Sequence, residues 1–176
     1  MKNVIVFAGS NSKNSINKKL AVLAASKLQG TAFSVLDLND YSLPLFGVDH
    51  EAEHGYPQNA KKFNESLDNT DGIILSLAEH NGSYSVAFKN LFDWLSRIDK
   101  HVWKNKPMLL MGTSLGGRGG ASVLEAAKNS FPHLGGNIVS SFSLPFFDKN
   151  FSEEKIMEEQ LYQDFLKSVE KLEAAL

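Results

Sequence analysis

Five short apolar runs, alternating with helical patterns, constrain this 176-residue chain more than any other feature. They are Asn3–Ala8, Phe33–Leu38, Asp71–Ala78, Pro107–Met111 and Ile138–Leu144. Asn3–Ala8 (NVIVFA) shows no clean polar alternation, which is the pattern of a strand buried on both faces. A helical stretch after the first run carries Leu20, Leu23, Ala24 and Leu28 on one side. Residues 58–68 read as a short helix, and Val86–Ile98 as a longer one with Val86, Leu91, Trp94, Leu95 and Ile98 toward the core. A further helix is expected over Ala121–Ser130. The last, from about Glu153, places Met157, Leu161, Phe165, Val169 and Leu172 at three- and four-residue spacing. Residues 39–57, with Pro44, Gly47, Gly55 and Pro57, read as mostly loop.

Strands that alternate with helices imply a parallel sheet covered on both faces. Right-handed crossovers leave few topologies. For five strands the expectation is an α/β, flavodoxin-like, doubly wound sheet of order 2-1-3-4-5. The length suits one domain over residues 1–176. With 43% hydrophobic and 22% charged residues, wholesale disorder is excluded. Eighteen basic against twenty acidic side chains give a formal charge of −2, which argues against a dedicated nucleic-acid partner. No apolar run approaches the ~20 residues needed to span a bilayer, and the apolar start reads as a strand rather than a signal peptide. A cytoplasmic protein without a membrane partner is expected. The absence of cysteine removes disulfides, thiolate metal sites and cysteine nucleophiles.

In open α/β sheets a ligand lies beyond the carboxyl ends of the strands, near the switch in strand order. Here those ends lead into Gly9–Ser15 (GSNSKNS), Glu79–Ser83 (EHNGS) and Gly112–Gly120 (GTSLGGRGG). The first loop offers hydroxyls at Ser10, Ser12 and Ser15 and amides at Asn11, Asn14 and Asn17. It leads into a helix start, where free N–H groups and the dipole favour an anion such as phosphate. No Gly-Lys-Ser/Thr closes it, so a triphosphate loop is excluded, and G-x-G-x-x-G is missing. The same residues could equally form a capped turn without ligand.

Two other motifs match literally and are rejected. Gly112-Thr113-Ser114-Leu115-Gly116 fits the G-x-S-x-G nucleophile elbow between strand and helix. Only His133 follows Ser114, and the order acid-then-histidine could be met solely through Glu125, a poor triad acid on the next helix. His50-Glu51-Ala52-Glu53-His54 fits H-E-x-x-H, but its window between Gly47 and Gly55 is too short for an anchored helix. It is expected to be solvated loop, and no metal site is assigned. His101 reads as a connector and His133 as a helix terminus. His80 stands apart in the third-strand loop.

Taken together, the loops resemble those of the NAD(P)H-dependent FMN reductase family. Gly9-Ser10-x-x-x-x-Ser15-x-Asn17 is similar to its G-S-x-R-x-x-S-x-N phosphate loop, with Ser12 in place of the arginine and Lys13 adjacent. Ala78-Glu79-His80-Asn81 is similar to its P-E-Y-N, and Phe88–Leu95 (FKNLFDWL) to its L-K-N-A-I-D-W-L helix. Ser114-Leu115-Gly116-Gly117-Arg118-Gly119-Gly120 resembles its third, glycine-rich loop. The likeness spans roughly residues 3–125 in the family's order.

The resemblance implies that Ser10, Ser12, Lys13, Ser15, Ile16 and Asn17 surround the FMN phosphate. Glu79, His80, Asn81 and Gly82, with Ser114, Leu115, Gly116, Gly117 and Arg118, would border the flavin ring. No protein side chain is required as catalyst, since hydride transfer occurs at the flavin. The implied activity is transfer of hydride from NADPH or NADH to FMN and on to a small acceptor: flavin, quinone, azo compound or metal ion. The alternatives are a non-enzymatic flavodoxin-type electron carrier and an FMN-binding regulatory domain. A homodimer or homotetramer is implied as well.

Overall fold

The computed structural model describes residues 1–176. The first half runs through β1 (Asn3–Gly9), α1 (Ile16–Ser26), β2 (Ala32–Leu36), α2 (Val48–His54), α3 (Gln58–Asp68) and β3 (Gly72–Leu77). Short strands β4 (Glu79–His80) and β5 (Ser83–Tyr84) precede α4 (Val86–Ile98), β6 (Pro107–Thr113) and α5 (Ala121–Ser130). The chain ends with β7 (Asn137–Leu144), α6 (Phe147–Asn150), β8 (Phe151–Ser152), β9 (Lys155–Ile156) and α7 (Glu159–Ala175).

Five strands form one parallel sheet in the order β2-β1-β3-β6-β7, which is the expected 2-1-3-4-5 counted along the main strands. Both faces are covered, which explains why the central strands carry no polar alternation. Ile5, Phe7, Ile73, Leu75, Met108 and Leu110 pack with α3, α4 and α5 through Phe63, Leu67, Phe88, Leu91 and Val123. Val4, Val6, Ile74, Leu109 and Met111 pack on the opposite side with α1 and α7 through Leu20, Ala24, Phe165, Val169 and Leu172. Register sets Gly9 beside Leu77 and Leu77 beside Gly112, so three strand ends open side by side at one sheet edge.

Four local expectations are corrected. Residues 48–54 are helical rather than loop: Asp49 and Glu51 occupy the first turn and His54 the last, which suits the dipole, and Gly55 at φ 70° ends the helix. The second strand stops at Leu36, and Leu38 opens a 3₁₀ turn over Leu38–Asp40. Val86 is 74% exposed because the apolar stripe of α4 begins at Phe88. The final helix begins at Glu159, where the Glu158 carboxylate accepts the N–H groups of Gln160 and Leu161. Met157 is therefore outside the helix and exposed. The segment before it is a β8–β9 hairpin whose tip residues Glu153 and Glu154 sit at φ 48° and 59°.

Candidate functional site

The three loops meet at the carboxyl edge and are tied to one another. Asn17, buried in the first turn of α1, accepts from the Ser76 hydroxyl (2.7 Å) and the Thr113 N–H (3.0 Å) through one oxygen. Its NH₂ donates to the Thr113 carbonyl at 3.2 Å. One carboxamide thus links α1, β3 and β6. Ser85, the cap of α4, donates to the Gly9 carbonyl at 2.7 Å and accepts from the Phe88 N–H. A Cβ at Gly9 would lie 2.8 Å from the Leu77 side chain and 3.2 Å from the Phe88 ring, so a larger residue there would require both to shift.

Ser15 is the N-cap of α1, its Oγ accepting from the Lys18 N–H at 3.1 Å. Ser10 Oγ accepts from the Ser12 N–H, and the Ser15 N–H donates to the Ser12 carbonyl. The N–H groups of Asn11, Lys13, Asn14, Ile16 and Asn17 have no acceptor in the protein, and neither this loop nor the first turn holds a carboxylate. The result is a concave set of donors at a helix start with an uncompensated dipole. That donor set fits a phosphate. Ser15 can cap the helix and still donate its own proton outward. Asn17 contributes only its backbone N–H to such a ligand, because its side chain is occupied inside the protein.

Lys18 pairs with Asp37 at 2.5 Å. That hydrogen bond first, and the Asn39 N–H second, hold the Asp37 carboxyl below the usual carboxylate range. A depressed folded pKa contributes stability that is present above the unfolded value of about 3.9 and lost as pH falls through the folded value. Stability is therefore expected to decline as pH drops below about 4. Asp37→Asn should flatten that acid limb of a urea-midpoint profile, and an unchanged limb would contradict this origin. The pairing also leaves Lys13, which makes no ion pair, as the free cation of the loop.

The second loop is a hairpin turn. Asn81 and Gly82 take φ 53° and 74°, joining β4 to β5 through the two-residue turn that Asn-Gly favours. His80, Asn81 and Gly82 are exposed. Glu79 instead reaches across to α5, accepting the Val123 N–H at 3.0 Å. Helix α5 begins at Gly120 with no side-chain cap of its own, so Glu79 supplies the cap from a distant loop. Glu79→Ala is expected to cost about 1 kcal/mol of stability in urea unfolding, as for other lost caps. No change would show that the contact is idle.

In the third loop Ser114 donates to the Gly116 carbonyl at 3.3 Å within its own turn. His133 lies in the 3₁₀ turn beyond α5, at the opposite end of that helix, so no histidine faces Ser114. Arg118 is exposed and donates to Ser122 at 2.6 Å rather than forming an ion pair. Gly119 and Gly120 adopt φ 54° and 80°, and a Cβ at Gly119 would meet the Pro145 nitrogen at 2.9 Å. A Cβ at Gly116 would meet only the Ser114 hydroxyl, at 3.9 Å.

Phe146 is the residue that the sequence reading missed. Its N–H donates to the Gly116 carbonyl at 3.0 Å, and the Phe147 N–H donates to Ser114 at the same distance. The Phe146 ring lies over Gly117, where a Cβ would sit 2.7 Å from it. Phe146 and Leu115 remain 42% and 62% exposed, leaving an apolar rim beside the glycine loop. Its position at the end of the fifth strand was the available signal.

His50 and His54 do share a helix face, with rings stacked 4.4 Å apart. Glu51 pairs with Arg97 at 2.9 Å, and no group of three or more histidine, aspartate or glutamate side chains is placed to hold a metal ion. No helix is long and apolar enough to cross a membrane.

The sequence profile described as NADPH-dependent FMN reductase matches residues 2–171. The chain belongs to this family. Within it, 120 residues are 33% identical to a 2-hydroxy-1,4-benzoquinone reductase of Burkholderia sp, covering 67% of this chain and 63% of that protein. A quinone reductase of Escherichia coli (strain K12) is 31% identical over 123 residues with the same coverages. The matched part thus spans somewhat under two thirds of these relatives. The FMN reductase fold superposes on FerB, an NAD(P)H:(acceptor) oxidoreductase from Paracoccus denitrificans, with TM-score 0.78 and 26% identity over 99% of this chain and 97% of that one. Flavodoxin 1 of Bacillus cereus shares the fold at TM-score 0.61 and 16% identity, over 100% and 99% of the two chains.

Proposed function

We propose that this FMN reductase family member binds FMN and catalyses NAD(P)H-dependent reduction of a small acceptor, a quinone foremost. The observation that carries this is the carboxylate-free donor set of the first loop, with its unfilled N–H groups, beside a glycine loop with an apolar rim. Bound FMN would supply the redox chemistry, accepting a hydride from NAD(P)H and delivering two electrons to the acceptor. The balanced reaction is NAD(P)H plus H⁺ plus quinone giving NAD(P)⁺ plus hydroquinone. Ser10, Ser12 and Ser15, the N–H groups of Ile16 and Asn17, and Lys13 would hold the phosphate. Free backbone N–H groups near Gly116 and Gly117 would face the pyrimidine side of the ring, where negative charge grows on reduction. Glu79 and Asn17 act as positioning residues that fix the loops relative to one another.

The quinone reductase names of the relatives and the FerB likeness support this choice of acceptor. Action in the cytoplasm, where NAD(P)H is supplied, belongs to the same proposal. So does a homodimer or homotetramer, favoured by exposed Leu45, Val48 and Val86 around α2 and the start of α4. In the decisive experiment, apo protein is titrated with FMN, and the complex is mixed anaerobically with NADPH or NADH. Flavin absorbance should bleach within the mixing time of a turnover assay and return on adding benzoquinone. A complex that NAD(P)H leaves oxidised would be an electron carrier, and a protein that takes up no FMN would overturn the whole reading.

A further inference from the structure

The phosphate loop is flanked by two clefts of different character. One, of about 270 Å³, lies between Asn11, the 38–43 segment and the start of α4. The other is a groove of about 900 Å³ between the outer face of α1 and the 147–155 segment. Lys13, Asn14 and Ser15 belong to the wall of this larger groove, so it opens directly off the phosphate loop. Nothing in the FMN reading fills it.

Its charge pattern is specific. Lys19 and Lys27 stand on the α1 side, Lys155 on the hairpin, and none of the three makes an ion pair. Facing α1 are Asp148, Glu153 and Glu154, none of them in an ion pair. The α1 wall is thus basic, the hairpin wall carries carboxylates beside Lys155, and no ion pair bridges the two across the groove. Glu153 and Glu154 form the two-residue tip of this hairpin, whose turn takes positive φ at both positions. Phe147 and Phe151 stack at 4.6 Å on the same side of the groove.

A ligand for such a groove must start at the phosphate loop and carry both anionic oxygens and hydrogen-bond donors. We propose that the groove takes the adenylate half of a flavin dinucleotide, so that the chain binds FAD as well as FMN. The second phosphate would lie against Lys19 and Lys155. The ribose hydroxyls and the adenine amino group would donate to Glu153 and Glu154, and the Phe151 ring would offer the base an apolar edge.

This inference rests on the phosphate-loop reading, and the test separates the two. Apo protein is titrated with FMN and with FAD, following flavin fluorescence, in wild type and in a Lys19→Glu/Lys155→Glu double variant. Both substituted side chains are exposed, so the fold is expected to survive, checked by the circular-dichroism melting curve. Wild type should bind FAD at least as tightly as FMN. In the double variant FAD affinity should fall tenfold or more while FMN stays within about twofold. FAD binding that is absent or weaker than FMN binding in wild type, or an equal loss for both flavins in the variant, overturns the groove assignment alone. Failure of both flavins to bind wild type overturns the phosphate loop and the groove together.

Discussion

Ser15→Asp is expected to abolish stable FMN binding while leaving the fold intact. The phosphate carries nearly two negative charges at neutral pH. Ser15 is only 6% exposed, so a carboxylate there meets the phosphate with little water between them. Two unit charges ~4 Å apart repel by about 4 kcal/mol at an effective dielectric near 20. At about 1.4 kcal/mol per decade this is roughly a thousandfold in affinity, reduced where salt screens the pair. Lys18 cannot neutralise the new charge without abandoning Asp37. Folding is spared because aspartate accepts the Lys18 N–H as serine does and suits the helix dipole. Ser15→Asn is the matched control: it caps without charge and should retain most of the affinity. Fluorescence titration with FMN, alongside urea unfolding of the apo form, reads both quantities. A Ser15→Asp protein that purifies with a full complement of FMN would remove the phosphate from this loop.

The sheet order was legible because strands buried on both faces advertise themselves as continuous apolar runs, and parallel crossovers allow few arrangements. Val4–Ala8 and Ile73–Leu77 owe their plain pattern to two cores, one on each side. Local pieces that depend on charge and turn chemistry were less legible. Residues 48–54 carry proline and glycine neighbours that suggest loop, but the acidic first turn and terminal histidine suit a two-turn helix. The 153–158 stretch looks helical by composition, yet the Glu158 cap starts the helix only at Glu159, six residues later.

The site was legible as a set of loops and less so as a set of roles. Spacing proposed Ser15 and the glycine loop as candidates, because small residues at strand ends are where backbone can approach a ligand. It could not assign Glu79, whose partner Val123 is 44 positions away, nor Phe146, which enters from the fifth strand. Long-range hydrogen bonds leave no periodicity in a sequence. Residues that look like ligand contacts can therefore prove to be struts that hold the ligand-binding backbone in place.

Asn17→Ala tests that distinction and should give the opposite profile to Ser15→Asp. Asn17 lies in the loop motif, yet its side chain makes three buried hydrogen bonds, to Ser76 and to both backbone groups of Thr113. Alanine leaves a hydroxyl, an N–H and a carbonyl without this partner in a region closed to solvent. Each buried group left unsatisfied costs about 1–3 kcal/mol, so a loss of roughly 3–5 kcal/mol is expected in the apo protein. That is a large share of the 5–15 kcal/mol typical of a domain, and the urea midpoint should drop accordingly. FMN affinity should also weaken, because α1 loses its anchor to β3 and β6 and its first-turn N–H groups lose their fixed aim. The order of effects decides the role. A strut loses stability with or without ligand, whereas a side chain that grips the phosphate leaves the apo protein nearly unchanged. An Asn17→Ala variant within about 1 kcal/mol of wild type in the apo form, but stripped of FMN, would return Asn17 to the ligand shell.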